Sequence, residues 1–488
     1  MQKILVFLIT IPVIFLFANP SYAIEEDIHS WQDETIYYIL VDRFTNGTTE
    51  NDYEVDIQDP NAYHGGDIQG IISKLDHIKQ LGFTTINLSP VMSNAEEGYH
   101  GFLIDDYQSI EEHFGTMEDL QQLVEVAHEK ELKVILDFVV SHTAPNHDLL
   151  TSNPDLIADT AVTEDGTILP SPDLDNAMAR EYFLEAAAFW IDQANIDGYR
   201  LYTNENTSRE FINDLVETTQ SMKTDFLVMG ESIDFIDKEN TALTASVNHQ
   251  LNEKLSSVFS SYGNSIEPLL QEWPEVGSII NGFYLDSHQT VRFTREAVKN
   301  AQNPITRWKL GLTYLYTVPG IPIVYQGSEV PMDNGEDRPD HRMAQTNGGD
   351  DEFRNYIEQL AAIQKQFPAL SYGDLEVIDS NGAMTMYKRE YQDETIFVAI
   401  NNDVETKTIT IKDVPDGMQL TGLLQDNIVR ELKNDEYKIA LDRETADIFM
   451  VEEDTGMNWL FISFVVLVLG GFVTAVIFLS IKGKRLEQ

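Results

Sequence analysis

The stretch IDGYRLYTNEN, residues 196–206, decides how this chain is read. It follows a strong helical pattern over residues 179–196, with Tyr182, Phe183, Ala186, Ala187 and Trp190 on one face. It opens as a short apolar strand, then sets Arg200, Tyr202 and a run of polar side chains where a strand gives way to a loop. In a barrel of parallel strands the substrate-facing groups sit at that end of each strand. The stretch therefore asks for a barrel around it.

Working outward, further strand patterns lie at residues 35–41 (TIYYILV), 83–89, 133–140, 226–230, 281–285 and 321–325. A sixth strand is placed within residues 253–259. Helical patterns at 68–81, 117–130 and 351–367 carry apolar stripes such as Ile71, Leu75 and Ile78, or Phe353, Tyr356, Ile357 and Leu360. Strands alternating with helices predict an α/β chain, an eight-stranded (β/α)8 TIM barrel over residues 24–370. Residues 143–178, dotted with Pro and Asp, read as a short inserted loop domain. From 371 to 452 short alternating strands split by Asn, Asp and Gly turns predict an antiparallel β-sandwich.

Among 488 residues, 81 are acidic and 32 are Lys or Arg, for a net charge of −49. So acidic a surface argues against nucleic acid as partner, because phosphate binding needs positive charge. It fits a strongly solvated exterior. With no cysteine there are no disulfides and no thiolate metal site. Residues 1–23 have the form of a secretory leader: Lys3, an apolar run over 4–17, then Ser21-Tyr22-Ala23. Residues 459–481 are almost wholly apolar and long enough to cross a bilayer as one transmembrane helix. Lys482, Lys484 and Arg485 beyond it place the tail 482–488 in the cytoplasm and the body outside the cell membrane.

Gly198, Tyr199 and Arg200 match the start of Gly-Phe-Arg-x-Asp-x-x-x-His, and the chain resembles the alpha-amylase family of glycoside hydrolases over residues 31–452. Other segments join in: Gly98-Tyr99-His100-Gly101-Phe102, Asp137 with Ser141-His142, the run 320–329 (GIPIVYQGSE), and Arg338-Pro339-Asp340-His341-Arg342. The resemblance implies an α-glucan or oligosaccharide ligand held by His100, Phe102, His142, Arg200, His288 and Arg342. It also implies calcium, with Asn46, Asn51, Asp52 and Asp67 as ligands and backbone oxygens near Thr48 and Gly65. Calcium takes several hard oxygens from a flexible loop; an Asn/Gly-rich turn without metal is the alternative. Asp173, in Pro172-Asp173-Leu174-Asp175, matches a ligand of a second calcium. There Ser141 and Asn206 stand at two other ligand positions, which puts that second site in doubt.

Members of that family retain anomeric configuration, using one carboxylate to attack and a second as acid and base. By resemblance Glu231 keeps the acid/base position, Tyr202 stands at the nucleophile position and Gln289 at that of a third carboxylate. One of three survives. The expectation is a membrane-anchored α-glucan binder or sensor with impaired or absent catalysis. Two alternatives remain open. One is an active α-glycosidase with a tyrosine nucleophile, whose phenol, with a pKa of about 10, would need help from Arg200 or Glu205. The other is an accessory subunit of a membrane transporter.

Overall fold

The computed structural model describes residues 31–486 except 97, 163–165, 206, 232–240, 272–278, 434, 455 and 457–458; in the last helix the side chains at 459–462, 475 and 478–486 are also outside the described set. The leader at 1–23 and the motif position Asn206 thus lie outside the described residues.

Eight parallel strands close a barrel: β1 (Ile36–Ile39), β2 (Thr85–Leu88), β3 (Lys133–Val139), β4 (Gly198–Tyr202), β5 (Leu227–Gly230), β6 (Ala245–Val247), β7 (Ile280–Phe283) and β8 (Ile321–Tyr325). Each pairs with its neighbours in sequence, and β1 closes the ring on β8 with Ile36 opposite Ile323. The interior is filled by Tyr38, Ile135, Met229, Val247 and Ile323, among others. A second apolar layer joins the outer strand faces to the helices. Gly198 is required at the start of β4, where a Cβ would meet the Leu227 Cβ at 2.6 Å and the Ile135 Cγ2 at 2.9 Å.

The helices that flank β4 are set by their ends. Asn176 caps Ala177–Ala194 by accepting from the Met178 N–H, and Asn195 closes that helix in the left-handed region at φ 53°. Ser208 caps Arg209–Met222 through the Phe211 N–H. The segment expected as one helix over 68–81 is two, Ile68–Ile72 and Leu75–Gln80.

The expected sixth strand is corrected. Residues 253–259 belong to a helix, His249–Phe259, capped by Asn248, and the strand is the three-residue β6 just before it. Asn252, Leu255 and Phe259 are its buried residues, a helical spacing, whereas three residues are too few to show alternation.

The insertion carries an antiparallel hairpin, Ile157–Val162 with Ile168–Pro172. Beyond the barrel, strands β9 (Asp374–Asn381), β10 (Met384–Tyr391), β11 (Glu394–Asn401), β12 (Lys407–Ile411), β13 (Met418–Gly422), β14 (Ile428–Arg430), β15 (Tyr437–Leu441) and β16 (Thr445–Glu453) follow. They form a six-stranded antiparallel sheet, β9-β10-β11-β16-β13-β14, and a pair, β12-β15, with an apolar layer between them. Arg389 fastens this unit to the barrel by donating to the carbonyls of Thr317, Leu370 and Gly373.

The chain from Trp459 to Leu486 is a single helix. Among the described residues no helix is long and apolar enough to cross a membrane. The span expected over 459–481 falls in part on side chains outside the described set. Those that are described include Phe464, Leu467 and Phe472, all exposed.

Candidate active site

Strand register brings the site together. In β3 and β4, Asp137 lies opposite Arg200 and Val139 opposite Tyr202. Alternation sends Tyr199 to the helices, where its hydroxyl donates to the Ala187 carbonyl at 2.7 Å, and turns Arg200 inward over the Tyr38 ring. The Glu231 N–H donates to the Leu201 carbonyl at 2.9 Å, which carries the ladder one residue past β5 and sets the carboxylate beside Arg200.

Arg200 Nε donates directly to Glu231 Oε2 inside the barrel, with both side chains buried. His249 Nε2 lies 3.3 Å from Glu231 Oε1 and 2.5 Å from its backbone oxygen. Burial raises the Glu231 carboxyl, but Arg200 and then His249 outweigh it and hold it below the ordinary glutamate value. Glu231 is therefore a carboxylate at neutral pH. Asp137 accepts from the Tyr38 hydroxyl and the Asn87 amide, each at 2.8 Å. Burial pushes it up to about 7, against the pull of Arg200.

Tyr202 is only 6 % exposed. Its ring meets Phe102 edge-on at 5.0 Å, and its hydroxyl lies 3.4 Å from His288 Nε2. Burial lifts the phenol well above its ordinary pKa, although Arg200 pulls the other way. His288 is stacked between Tyr38 at 4.7 Å and Phe102 at 5.4 Å. Burial, then Arg200, keeps it neutral. His100 accepts from the Phe102 N–H at 3.0 Å, and burial pushes it down to about 4. His142 Nε2 lies 3.1 Å from the Phe102 carbonyl. Arg200 Nη2, Thr203 Oγ1 and His288 Nδ1 are buried with no hydrogen-bond partner in the protein.

Of the residues singled out from sequence, His100, Phe102, His142, Arg200, Tyr202, Glu231 and His288 thus come together. Gln289 does not join them: it is exposed, and its backbone N–H donates to Ser287 Oγ. Arg342 is half exposed and held by Asp340, with Nε 2.9 Å from Oδ1. Its neighbour His341 reaches the cluster instead, 2.7 Å from the His288 carbonyl, with the Tyr99 hydroxyl on its other nitrogen. Sequence reasoning missed His341, His249, Tyr38 and Asn87. His341 lay inside a quoted segment, and Tyr38 and Asn87 end inward-facing strands; His249 was hidden by the misplaced sixth strand.

The loop read as a calcium site also closes on itself. Asn46 Nδ2 donates to Asp52 Oδ1 at 2.8 Å. Gly65, at φ 87°, abuts both, since a Cβ there would meet them at 2.6 and 2.8 Å. Asn51 is buried and its Oδ1 has no partner. The Asp67 carboxylate is spent on the N–H groups of Gly47, Thr48 and Gly70. The oxygens of Asn46, Asn51 and Asp52 suit a hard cation, while Asp67 serves as a helix cap. Asp173 accepts from the Asp175 N–H. Near it, the Ser141 carbonyl is taken by Ser171 Oγ and Asn204 Nδ2, each at 2.7 Å. Among the described residues no group of three or more His, Cys, Asp or Glu converges to hold a metal.

The family model for the alpha amylase catalytic domain matches residues 38–159 and 167–369, and that for the alpha-amylase C-terminal domain matches 373–449. An Anoxybacillus alpha-amylase structure is 40% identical, with a TM-score of 0.82, over 88% of this chain and 100% of that one. A Geobacillus thermoleovorans alpha-amylase, solved with acarbose, is 35% identical with a TM-score of 0.80, over 87% and 100%. A Paenibacillus polymyxa beta/alpha-amylase is 28% identical over 86% of this chain, which spans 38% of that relative's length. A Bacillus cyclomaltodextrinase is 26% identical over 78% of this chain and 75% of its own.

The raised Asp137 carboxyl has a consequence for stability. Its folded pKa of about 7 exceeds the unfolded value of about 3.9, so the folded state holds an extra proton between them. That contribution is present at low pH and is lost as pH rises through 7. The buried neutral histidines act oppositely, so a difference measurement is needed. The stability of the wild-type chain relative to Asp137→Asn, from urea unfolding, should shrink as pH is raised from about 5 to about 8. A difference that grows instead would contradict this reading of Asp137.

Proposed function

The chain belongs to the alpha-amylase family, and on that premise we propose that it binds α-glucans at the C-terminal face of its barrel without cleaving them at an enzymatic rate. One observation carries the reading: a buried, neutral phenol, Tyr202, stands where the attacking carboxylate is required. Retaining hydrolysis needs two carboxyl groups about 5–5.5 Å apart, one to attack and one, with a raised pKa, to protonate the leaving oxygen. Here the attacker is a phenol held above its ordinary pKa by burial. The donor position is a carboxylate held ionised by Arg200. A tyrosine nucleophile is disfavoured by the same facts, because Arg200 does not overcome burial.

What the site retains is suited to holding a sugar. Arg200, His100, His142 and His288 surround the position, and Phe102 offers an aromatic face. Losing members of a cooperating catalytic set costs on the order of 10⁴ to 10⁶ in rate. The full chain with maltoheptaose should therefore show binding by calorimetry and release almost no reducing sugar. Tyr202→Asp should raise that release by at least about 100-fold. Wild-type turnover at the usual 1–10³ s⁻¹ would end the proposal.

Two further features belong to the same reading. Calcium would be held by Asn46, Asn51 and Asp52 with nearby backbone carbonyls, a structural ion tying the loop after β1 to the start of the first helix. Calcium should then raise the thermal midpoint by several degrees, and Asp52→Ala should abolish that rise; equal midpoints in EDTA and in calcium would remove the ion from the account. The apolar helix Trp459–Leu486 would anchor the protein in the cell membrane with Lys482, Lys484 and Arg485 on the inner side, and residues 1–23 would direct export. The chain should stay in the membrane pellet through alkaline carbonate extraction and be digested by protease added to intact cells. Release by carbonate would overturn the anchor.

A further inference from the structure

Strand β6 is only three residues long, and it leads straight to the residue that opens the next helix, His249. That placement is fixed from both neighbouring strands. Ser246 Oγ donates to the Gly230 carbonyl of β5 at 3.2 Å, and the Asn248 N–H donates to the Gly282 carbonyl beside it in β7 at 2.9 Å. The Asn248 side chain then starts the helix by accepting from the Leu251 N–H. His249 is left between Glu231 on one side and Tyr284 on the other.

The two ring nitrogens have different tasks. Nε2 meets two oxygens of one residue, the Glu231 carbonyl at 2.5 Å and Oε1 at 3.3 Å. A carbonyl and a carboxylate oxygen can only accept, so Nε2 carries a hydrogen; the other tautomer would turn a lone pair on both. Nδ1 lies 2.7 Å from the Tyr284 hydroxyl. It accepts from that hydroxyl when the ring is neutral and donates to it when the ring is charged, and Nε2 keeps its hydrogen either way. Tyr284 is pinned in turn. It is 2% exposed, and its N–H donates to Asn252 Oδ1 at 3.0 Å, from the helix that His249 opens.

Arg200 Nε takes Oε2 of Glu231, so His249 is what meets Oε1. Among the described residues the titratable groups that face Glu231 are Arg200, Asp137, Tyr202, Tyr284 and His249. The first four are at most 6% exposed, whereas the His249 side chain is 31% exposed. A group at the rim therefore acts on a carboxylate sealed beneath it.

We infer that His249 is a positioning residue for Glu231: through Nε2 it holds the carboxylate against Arg200, and the Tyr284 hydroxyl holds the ring from behind. The hold stands on this geometry alone; only the kinetic arm of its test rests on the proposed function above.

Nitrogen NMR of the full chain labelled with 15N-histidine reads the hold directly, with His249 assigned by its loss in His249→Gln. At neutral pH, Nε2 should bear a hydrogen. Glu231→Gln should move the Nε2 resonance and Tyr284→Phe the Nδ1 resonance. His128, bonded to Asp197 ahead of β4, should be unmoved in both, which guards against misfolding. A hydrogen on Nδ1 alone, or a His249 signal indifferent to Glu231→Gln, overturns the inference. The kinetic arm uses Tyr202→Asp with maltoheptaose. There Glu231 can serve as an acid only while protonated, so the rate falls as pH rises through its pKa. His249 keeps that pKa low, and adding His249→Ala should move the falling limb to higher pH by about one unit. His249→Gln, which keeps a donor at the same reach, should move it less. Identical profiles in all three overturn the inference, since a merely structural role would lower the rate without moving the limb. If Tyr202→Asp releases no sugar, the restored-nucleophile prediction has failed and the spectra alone decide on His249.

Discussion

A guanidinium sealed inside a barrel must have an anion against it, and the interior of this protein is arranged around that demand. Arg200 is 1% exposed, and its direct partner is Glu231. Taking one member from such a buried pair leaves an uncompensated charge and costs about 3–5 kcal/mol. Glu231 is therefore accounted for by electrostatics without any appeal to proton transfer. The same pairing sets the acidity of Glu231. With Arg200 and His249 on it, Glu231 is more acidic than an ordinary glutamate, whereas a general acid has to be less so. The opposing effect falls on Asp137, which is buried more deeply and pushed up to about 7. One cation has been given one anion, and the second carboxyl sits near neutrality.

Around that pair the site is lined by packed aromatic rings. Tyr38, His288 and Phe102 form a stack, and Tyr202 closes against it edge-on. Such contacts contribute about 0.5–1.5 kcal/mol each beyond the area they bury. A charged carboxylate at position 202 would instead have to be desolvated beside Glu231. The neutral phenol of Tyr202 brings no such repulsion. The histidines belong to this packing too: His100 and His288 are held neutral by burial, so they offer hydrogen bonds and ring faces and carry no charge.

How much of this was legible beforehand depended on whether a residue sat in a periodic segment or a motif. Strand β4 was plain because a helix pattern ran straight into it, and the glycine that opens it is demanded by the neighbouring strands. Strand β6 was not, since three residues, Ala245–Val247, cannot display alternation, while the helix after them has strong periodicity of its own. That error also concealed His249. Arg200, Glu231 and His288 were found because they stand in motifs. Tyr38 and Asn87 stand in none and reach the site only through barrel closure. The direction of Gln289 is a matter of loop conformation, and it is exposed. A carboxylate before a helix suits both a ligand and a cap, and the Asp67 carboxylate accepts from three backbone N–H groups.

The charge imbalance fits the same account once the basic residues are located. Arg43, Arg200, Arg292, Arg307 and Arg389 are among the largest fully buried side chains, each used as an internal tie. Arg307, for example, joins Asn402 and Glu444 across the base of the C-terminal sheet. Cations spent inside the protein leave the carboxylates to dominate outside, so an acidic composition becomes a still more acidic surface. Salt confines that field to roughly 10 Å, but within this layer an anionic polymer is opposed at every approach. A neutral polysaccharide is not. Under the proposed function, its hydroxyl groups would meet carboxylate acceptors at that surface.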